Sequence, residues 1–174
     1  MEPSGFSDRQ DKDELERLAQ TGNIDAQLYL GWAYDRFGTL PYNESRAEYW
    51  LRCAAGSGSS EGRRRLARFF LDRNNDEAVS IANSLVSDRD FYGHYILGHI
   101  YLNGNCGQMR NRELALREWC KASEMGHLVS EIDLKKELLL RSPSKLNSLV
   151  GLMSALSRYG SLFFRDRKDS RLAV

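Results

Sequence analysis

Small residues recur along this chain at fixed intervals, and this spacing constrains the fold more than any other feature of the sequence. Gly22 and Gly31 are 9 residues apart, and Ala47 and Gly58 are 11 apart. The same two intervals recur further along, between Gly58 and Ala67, Ala67 and Ala78, Arg89 and Gly98, and Ala115 and Gly126. Units therefore start at 22, 58, 89 and 126, with periods of 36, 31 and 37 residues. Periods in this range are typical of repeat proteins.

Within each unit, apolar residues recur at helical spacing, which predicts two antiparallel helices, A and B. The predicted A helices span 24–36, 60–73 and 91–103, and the predicted B helices span 45–55, 76–87 and 112–125. Glycine in the middle of a helix costs about 1 kcal/mol relative to alanine. We expect close crossing of helix B to offset that cost, with Ala47, Ala78 and Ala115 presented to Gly31, Ala67 and Gly98. Tyr34, Phe70 and Tyr101 are expected to fill the space between stacked units.

Charge and cysteine content exclude several other classes of protein. The chain has 25 Lys and Arg against 24 Asp and Glu, so no general attraction to nucleic acid follows. Cys53, Cys106 and Cys120 form an odd set without CxxC spacing, which favours reduced thiols over a disulfide framework. The sequence has neither a secretory signal nor an apolar stretch of about 18 residues. The predicted location is cytoplasmic, with peripheral attachment to a membrane complex left open.

No pattern indicates a catalytic centre, a metal or a cofactor. His94 and His99 are five residues apart, which is not the i, i+4 spacing of ligands on one helical face. Cys106 lies in the GNCGQ loop, where we expect a surface cysteine rather than a nucleophile paired with His99. GSGSSEG is typical of a turn between helices and does not resemble a phosphate-binding loop. We therefore expect a protein that is not an enzyme.

The first unit resembles the SEL-one-like repeat (SLR), a relative of the tetratricopeptide repeat. The resemblance rests on GNIDAQLYLGWAY and AEYWLRCAAGSG, at Gly22, Ala26, Leu30, Gly31, Tyr34, Ala47, Trp50, Ala54, Ala55 and Gly58. The third unit matches at Leu97, Gly98, Tyr101, Gly104, Ala115, Ala122 and Gly126, with Glu118 in place of the tryptophan. The middle unit departs most and lacks that tryptophan.

The resemblance implies an all-α fold, a right-handed α/α superhelix of antiparallel helix pairs over residues 14–141. Around it we expect a flexible N-terminus at 1–13, a C-terminal capping helix at 142–164 and a basic tail at 165–174. Similar proteins are adaptors without enzymatic activity. They support membrane-associated complexes, bacterial surface-polysaccharide systems and protein quality control.

In the tetratricopeptide frame, the A helices line a concave groove. Positions −6, −3, +1 and +4, counted from the small residue in the middle of each A helix (Gly31, Ala67 or Gly98), face this groove. Leu28, Leu71 and Leu102 occupy such positions, but core packing is favoured for them. For Arg64 and Arg68, the alternatives are a solvated helix face and a pair that grips an acidic segment or a C-terminal carboxylate. For Trp32, Tyr92 and Tyr95, packing between repeats is the alternative. The frame assigns to the partner-binding groove Asp25, Trp32, Asp35, Glu61, Arg64, Arg68, Tyr92, Tyr95 and His99.

The C-terminal helix carries an apolar stripe that includes Leu149, Met153, Leu156 and Phe163. We expect this stripe to cap the last repeat. The alternatives are a dimer or partner surface and, least favoured, an interfacial membrane contact aided by Arg165, Arg167, Lys168 and Arg171.

The functional prediction is a scaffold that holds an unidentified protein partner in the groove and supports a membrane-associated or surface-polysaccharide assembly. One alternative is a regulatory subunit that docks on a membrane enzyme through the C-terminal helix. A small carbohydrate-binding protein or hydrolase is less favoured, because either would need a closed pocket. A homodimer through the C-terminal helix is left open, and no nucleic-acid partner is expected.

Overall fold

The computed structural model describes residues 9–141 and 145–165, and the chain is α-helical across both ranges. No strand occurs among these residues, so the all-α fold class is confirmed. The helices, in chain order, are α1 (Arg9–Gln20), α2 (Ile24–Ala33), α3 (Glu44–Gly56), α4 (Ser60–Leu71), α5 (Glu77–Ser87), α6 (Phe91–Asn103), α7 (Arg112–Glu124), α8 (Leu128–Arg141) and α9 (Lys145–Arg165).

The six helices of the predicted pairs begin within one residue of their predicted positions, but α2 and α4 end three and two residues early. α2 ends at Ala33, three residues early, because the following loop folds back and the Leu40 amide donates to the Ala33 carbonyl at 2.9 Å. α1 begins at Arg9, inside the segment 1–13 that was expected to be flexible. Residues 1–8 and most of the basic tail, 166–174, lie outside the described ranges.

The chain divides into two compact units, Met1–Asp72 and Arg73–Val174. In the first unit, α1 packs on α2, α2 packs on α3 and α4, and α3 packs on α4. In the second, each helix from α5 to α9 packs on the next. Neighbouring helices run antiparallel. Gly31 in α2 faces Leu51 late in α3, whereas Tyr34, just after α2, bonds to Arg46 early in α3.

The residue at each predicted unit start has a positive φ. The angle is 92° at Gly22, 82° at Gly58 and 94° at Gly126, and Arg89 reaches 57°. Glycine enters this left-handed region without penalty, whereas another residue costs about 1–2 kcal/mol. The recurring position is therefore a turn that reverses the chain before the next helix.

Side chains cap the first turns of five of the described helices, because the first amide groups of a helix lack partners within it. Each cap accepts a hydrogen bond from an amide two or three residues ahead, at 2.9–3.0 Å. The caps are Asn23, Asn43, Ser59, Asp90 and Asn111.

Within a helix pair, the mid-helix glycine makes room for a large side chain. A Cβ at Gly31 would lie 2.7 Å from the Leu51 side chain, and Gly98 lies directly against the indole of Trp119. Ala47 and Ala115 are fully buried, but they are not the residues that face these glycines. The expectation that Ala47 and Ala115 face Gly31 and Gly98 was therefore wrong by one helical turn. The facing residues, Leu51 and Trp119, lie four positions later in the chain.

Between successive pairs, a different glycine lets backbones approach. A Cβ at Gly62 would lie 2.6 Å from the Ala54 carbonyl carbon, and one at Gly93 would lie 2.5 Å from the Ala82 carbonyl oxygen. The side chains expected to fill the interior, Tyr34 and Phe70, are 4% and 1% exposed. Tyr101, by contrast, is half-buried.

Gly62→Ala is expected to destabilise the chain by about 1–3 kcal/mol, because the methyl group would overlap the backbone of α3, which cannot rotate away. Gly56→Ala is the matched control, since Gly56 ends α3 with no neighbouring atom within 4 Å of a Cβ. Its effect should be neutral or a gain of up to about 1 kcal/mol from helix propensity. Urea unfolding measures both, and equal effects would contradict the close approach.

Candidate partner-binding site

Two A helices in contact, α2 and α4, carry five of the six groove residues that were predicted within residues 1–72. We call Asp25, Trp32, Glu61, Arg64 and Arg68 the α2–α4 face. Their spacing of three, four or seven residues puts each set on one side of its helix. Leu28 and Leu71, at the remaining frame positions, are each 8% exposed and belong to the core, as favoured. The sixth residue, Asp35, lies beyond the end of α2, where its Oδ1 accepts the Arg36 amide at 2.8 Å.

Trp32 differs from the other two tryptophans of the chain in its environment. Trp50 and Trp119 are 6% and 2% exposed, whereas Trp32 is only half-buried. Its ring lies 5.6 Å from that of Tyr29, at an interplanar angle of 58°. A tryptophan that keeps part of its ring in water is a residue type enriched at interface hot spots.

The arginines of the α2–α4 face lie beside acidic residues of their own helix or its end. The Arg64 guanidinium is 4.0 Å from Glu61, and Arg68 donates to Asp72 at 3.1 Å. Such pairs along an exposed helix contribute about 0.3–0.5 kcal/mol each. This geometry favours the solvated helix face for Arg68, whose side chain is 36% exposed, whereas the side chain of Arg64 is only 18% exposed.

In the compact unit Arg73–Val174, Tyr92 and Tyr95 are buried, with exposures of 3% and 2%. The imidazole of His127, just before α8, covers them, with its centroid 4.8 Å from the Tyr95 ring and 6.2 Å from the Tyr92 ring. The expectation that these tyrosines line an open groove was therefore wrong, and they pack between helices instead. His99 stays half-buried, with Nε2 3.3 Å from Asp133 Oδ2.

A buried ionic cluster that the sequence analysis missed joins α6 and α7. Glu118 is 8% exposed, its Oε2 lies 2.6 Å from His94 Nδ1, and its Oε1 accepts from Lys121 Nζ at 2.8 Å. Burial by itself would raise the pKa of Glu118, but the hydrogen bonds and charges of Lys121 and His94 outweigh it and lower that pKa. The sequence held one sign of this cluster: Glu118 occupies the repeat position at which the first repeat has the buried Trp50.

His127 and Ser130 have the spacing of a base and a nucleophile, with 2.7 Å between Nδ1 and Oγ. Both side chains are fully buried, and the Ser130 amide also donates to Nδ1 at 3.3 Å. These hydrogen bonds assign the pair to capping the start of α8 rather than to chemistry on a substrate. Among the described residues, no group of His, Cys, Asp or Glu could hold a metal ion.

Cys106 was expected at the surface, yet it is 1% exposed. Its amide donates to Asn74 Oδ1, and this ties together the loops that precede α5 and α7. Burial and the nearby carboxylate of Asp76 raise the pKa of the Cys106 thiol. A thiol that stays protonated is a poor nucleophile, so the pairing with His99 is disfavoured on chemical grounds as well.

The C-terminal helix α9 packs on α8, but not through the stripe expected to cap the last repeat. Leu149, Met153 and Leu156 are 43%, 62% and 47% exposed. The side chain of Phe163 lies outside the described residues. The capping expectation was therefore wrong in its choice of face, because the side of α9 that contacts α8 is that of Gly151 and Arg158.

Two solved structures share this arrangement of helices. The Sel1 repeat protein from Oxalobacter formigenes is 24% identical, with a TM-score of 0.52 over 74% of this chain and 99% of that one. The second, c5321, is a protective antigen of uropathogenic Escherichia coli strains that displays an SLR fold. It is 16% identical, with a TM-score of 0.63 over 89% of this chain and 38% of that one.

The chain has the SLR fold. The resemblance found in the first repeat, which starts at Gly22, is thus confirmed for the architecture, an all-α arrangement of repeated helix pairs. Neither a protein-family model nor a curated protein matches the sequence.

Glu118→Gln tests the buried cluster of this SLR fold. A carboxylate whose pKa is lowered on folding adds stability at a pH above its unfolded pKa and loses it as the pH falls through the folded pKa. We expect the variant to lose about 1–3 kcal/mol at pH 7, and this deficit to shrink as the pH approaches 3.

Urea unfolding at several pH values provides the measurement. Glu113→Gln is the matched control, because Glu113 is an exposed residue of the same helix and should change stability by no more than about 0.5 kcal/mol. A Glu118→Gln deficit that stays constant down to pH 3 would refute the assignment.

Proposed function

We propose that this chain is a non-catalytic scaffold that holds a segment of a partner protein against the α2–α4 face. The SLR fold supports the proposal, because stacked helix pairs present an extended surface rather than a closed pocket. The cysteine content favours the cytoplasm as the setting, and the SLR resemblance implies an assembly associated with a membrane or with surface polysaccharide. The proposal for the α2–α4 face does not depend on that setting.

The partial exposure of Trp32 is the observation that carries this proposal. A tryptophan exposes a large apolar surface to water unless something covers it. The core accommodates Trp50 and Trp119 fully, so the fold does not lack room for indole rings. A partner that covers Trp32 would bury apolar area at the centre of a charged rim, which is the usual anatomy of an interface.

The rim indicates what the partner segment should contain. Arg64 and Arg68 can donate hydrogen bonds to carboxylates of a partner in place of those of Glu61 and Asp72. Arg forms stronger bidentate pairs with carboxylates when water is excluded. We therefore expect a segment with an apolar residue over Trp32 and acidic residues beside it. Asp25 is exposed on α2 and would disfavour segments with acidic residues at its own end.

Photo-crosslinking in the native cell tests where the partner lies. A benzophenone amino acid at position 32 should yield an adduct with one protein, which mass spectrometry would identify. The same group at Arg117, an exposed position of α7, is the control and should not yield that adduct. Adducts of the same protein from position 117 alone would contradict the assignment.

Charge reversal of Arg64 and Arg68 to Glu should abolish co-purification of that partner. The melting temperature should fall by no more than about 2–4 °C, because ion pairs between residues three or four positions apart on one helix contribute little. Reversal of Arg110 and Arg117, both exposed in the second unit, changes the net charge equally and should leave binding intact. Co-purification that survives the first reversal would remove the α2–α4 face as the site.

A further inference from the structure

The C-terminal helix α9 has two faces of different character, and its small residues face α8. Ala155 is fully buried, and a Cβ at Gly151 would meet Lys135 of α8 at 3.9 Å. One turn further along, Arg158 pairs with Glu131, whose carboxylate also accepts from Lys135 at 2.6 Å. Residues 151, 155 and 158 follow the i, i+4, i+7 spacing of one helical face. The orientation of α9 on α8 is thereby fixed.

The other face of α9 holds an exposed apolar ridge, which consists of Leu149, Val150, Met153 and Leu156. Their exposures are 43%, 60%, 62% and 47%. With about 100° of rotation per residue, all four lie about 100° or more from the buried Ala155. Several contiguous apolar side chains left in water on one face usually mark a surface that something else covers.

The charge around the ridge restricts what can cover it. α9 contains Lys145, Arg158 and Arg165 and no acidic residue. Residues 142–174 together hold six Lys or Arg and two Asp, a net charge of +4. The whole chain has a net charge of +1, so residues 1–141 carry −3. The positive charge is thus concentrated in the segment that also displays the ridge.

This concentration disfavours a second copy paired through the same helix. Two α9 helices placed ridge to ridge would bring like charges together, with no acidic side chain on either helix to balance them. An anionic occupant, in contrast, gains from the basic residues of this segment other than Arg158, which already pairs with Glu131. A helix with an apolar ridge and a positive charge suits a soft surface into which apolar side chains can sink.

We propose that α9 binds anionic lipid bilayers at the interface, with its apolar ridge in the headgroup region and the net positive charge of residues 142–174 attracted to lipid phosphates. None of the described helices is long and apolar enough to cross a bilayer, so the contact would be peripheral. The binding combines apolar burial with attraction of roughly 1 kcal/mol per basic residue near the surface. The ridge shares no residue with the α2–α4 face, and the inference does not rest on the proposed function.

Co-sedimentation of the full chain with vesicles tests the inference. The chain should sediment with vesicles of phosphatidylcholine and phosphatidylglycerol, less so at high salt, and weakly with phosphatidylcholine alone. Met153→Asp should lower the partition coefficient about tenfold or more, because a buried Met side chain contributes at least that factor. Met109→Asp is the matched control: Met109 is 89% exposed outside the helices, and the substitution changes the charge equally. Its binding should match that of the unaltered chain.

Further measurements keep the test decisive. Circular dichroism should show both variants folded; if Met153→Asp unfolds, Met153→Ser replaces it and should also weaken binding. No sedimentation with any vesicle would overturn the inference. So would a dimer that Met153→Asp dissociates without any vesicle binding, since a second copy would then cover the ridge. A crosslink from position 153 to another protein, together with no binding to vesicles, would also overturn the inference.

Discussion

The close approach of backbones at Gly62 and Gly93 determines how successive helix pairs fit together. At both positions a methyl group would overlap main-chain atoms of the preceding helix, at 2.6 Å and 2.5 Å. A side chain can rotate away from such an overlap, but a helical backbone is held by its own hydrogen bonds. These two glycines therefore fix the register of α4 against α3 and of α6 against α5. The larger side chains, Leu51 and Trp119, then fill the space at the other crossings.

Once that register is set, the residues that follow each A helix decide what remains at the surface. In the first unit nothing among the described side chains covers Trp32 fully, so its ring stays partly in water. In the second unit, α8 begins with a capped turn that places His127 over Tyr92 and Tyr95. The same frame positions thus have opposite roles, since one set lies at the surface and the other is interior.

Periodicity in the sequence was sufficient to locate the helices, because apolar spacing and turn residues act over a few positions. It was insufficient for burial at particular sites, which depends on neighbours distant in sequence. Tyr95 matches the pattern of a groove residue, and only the position of His127 excludes it. The ridge of α9 was recognised as an apolar stripe, yet Gly151 and Arg158, and not the stripe, mark the side of α9 that faces α8. Glu118 was noted only as a departure, because its partner His94 lies 24 positions away.

Arg89 shows that the architecture depends on backbone dihedral angles more than on residue identity. It occupies the place of a glycine with a φ of 57°, and the chain still reverses there as it does at Gly22 and Gly58. A residue without the freedom of glycine can therefore hold the same bend, at a cost that the rest of the packing absorbs. Two backbones can thus superimpose while few letters agree, as with the 16% identity to the antigen chain. Comparison of such arrays should weigh torsion angles and side-chain volume alongside the letters.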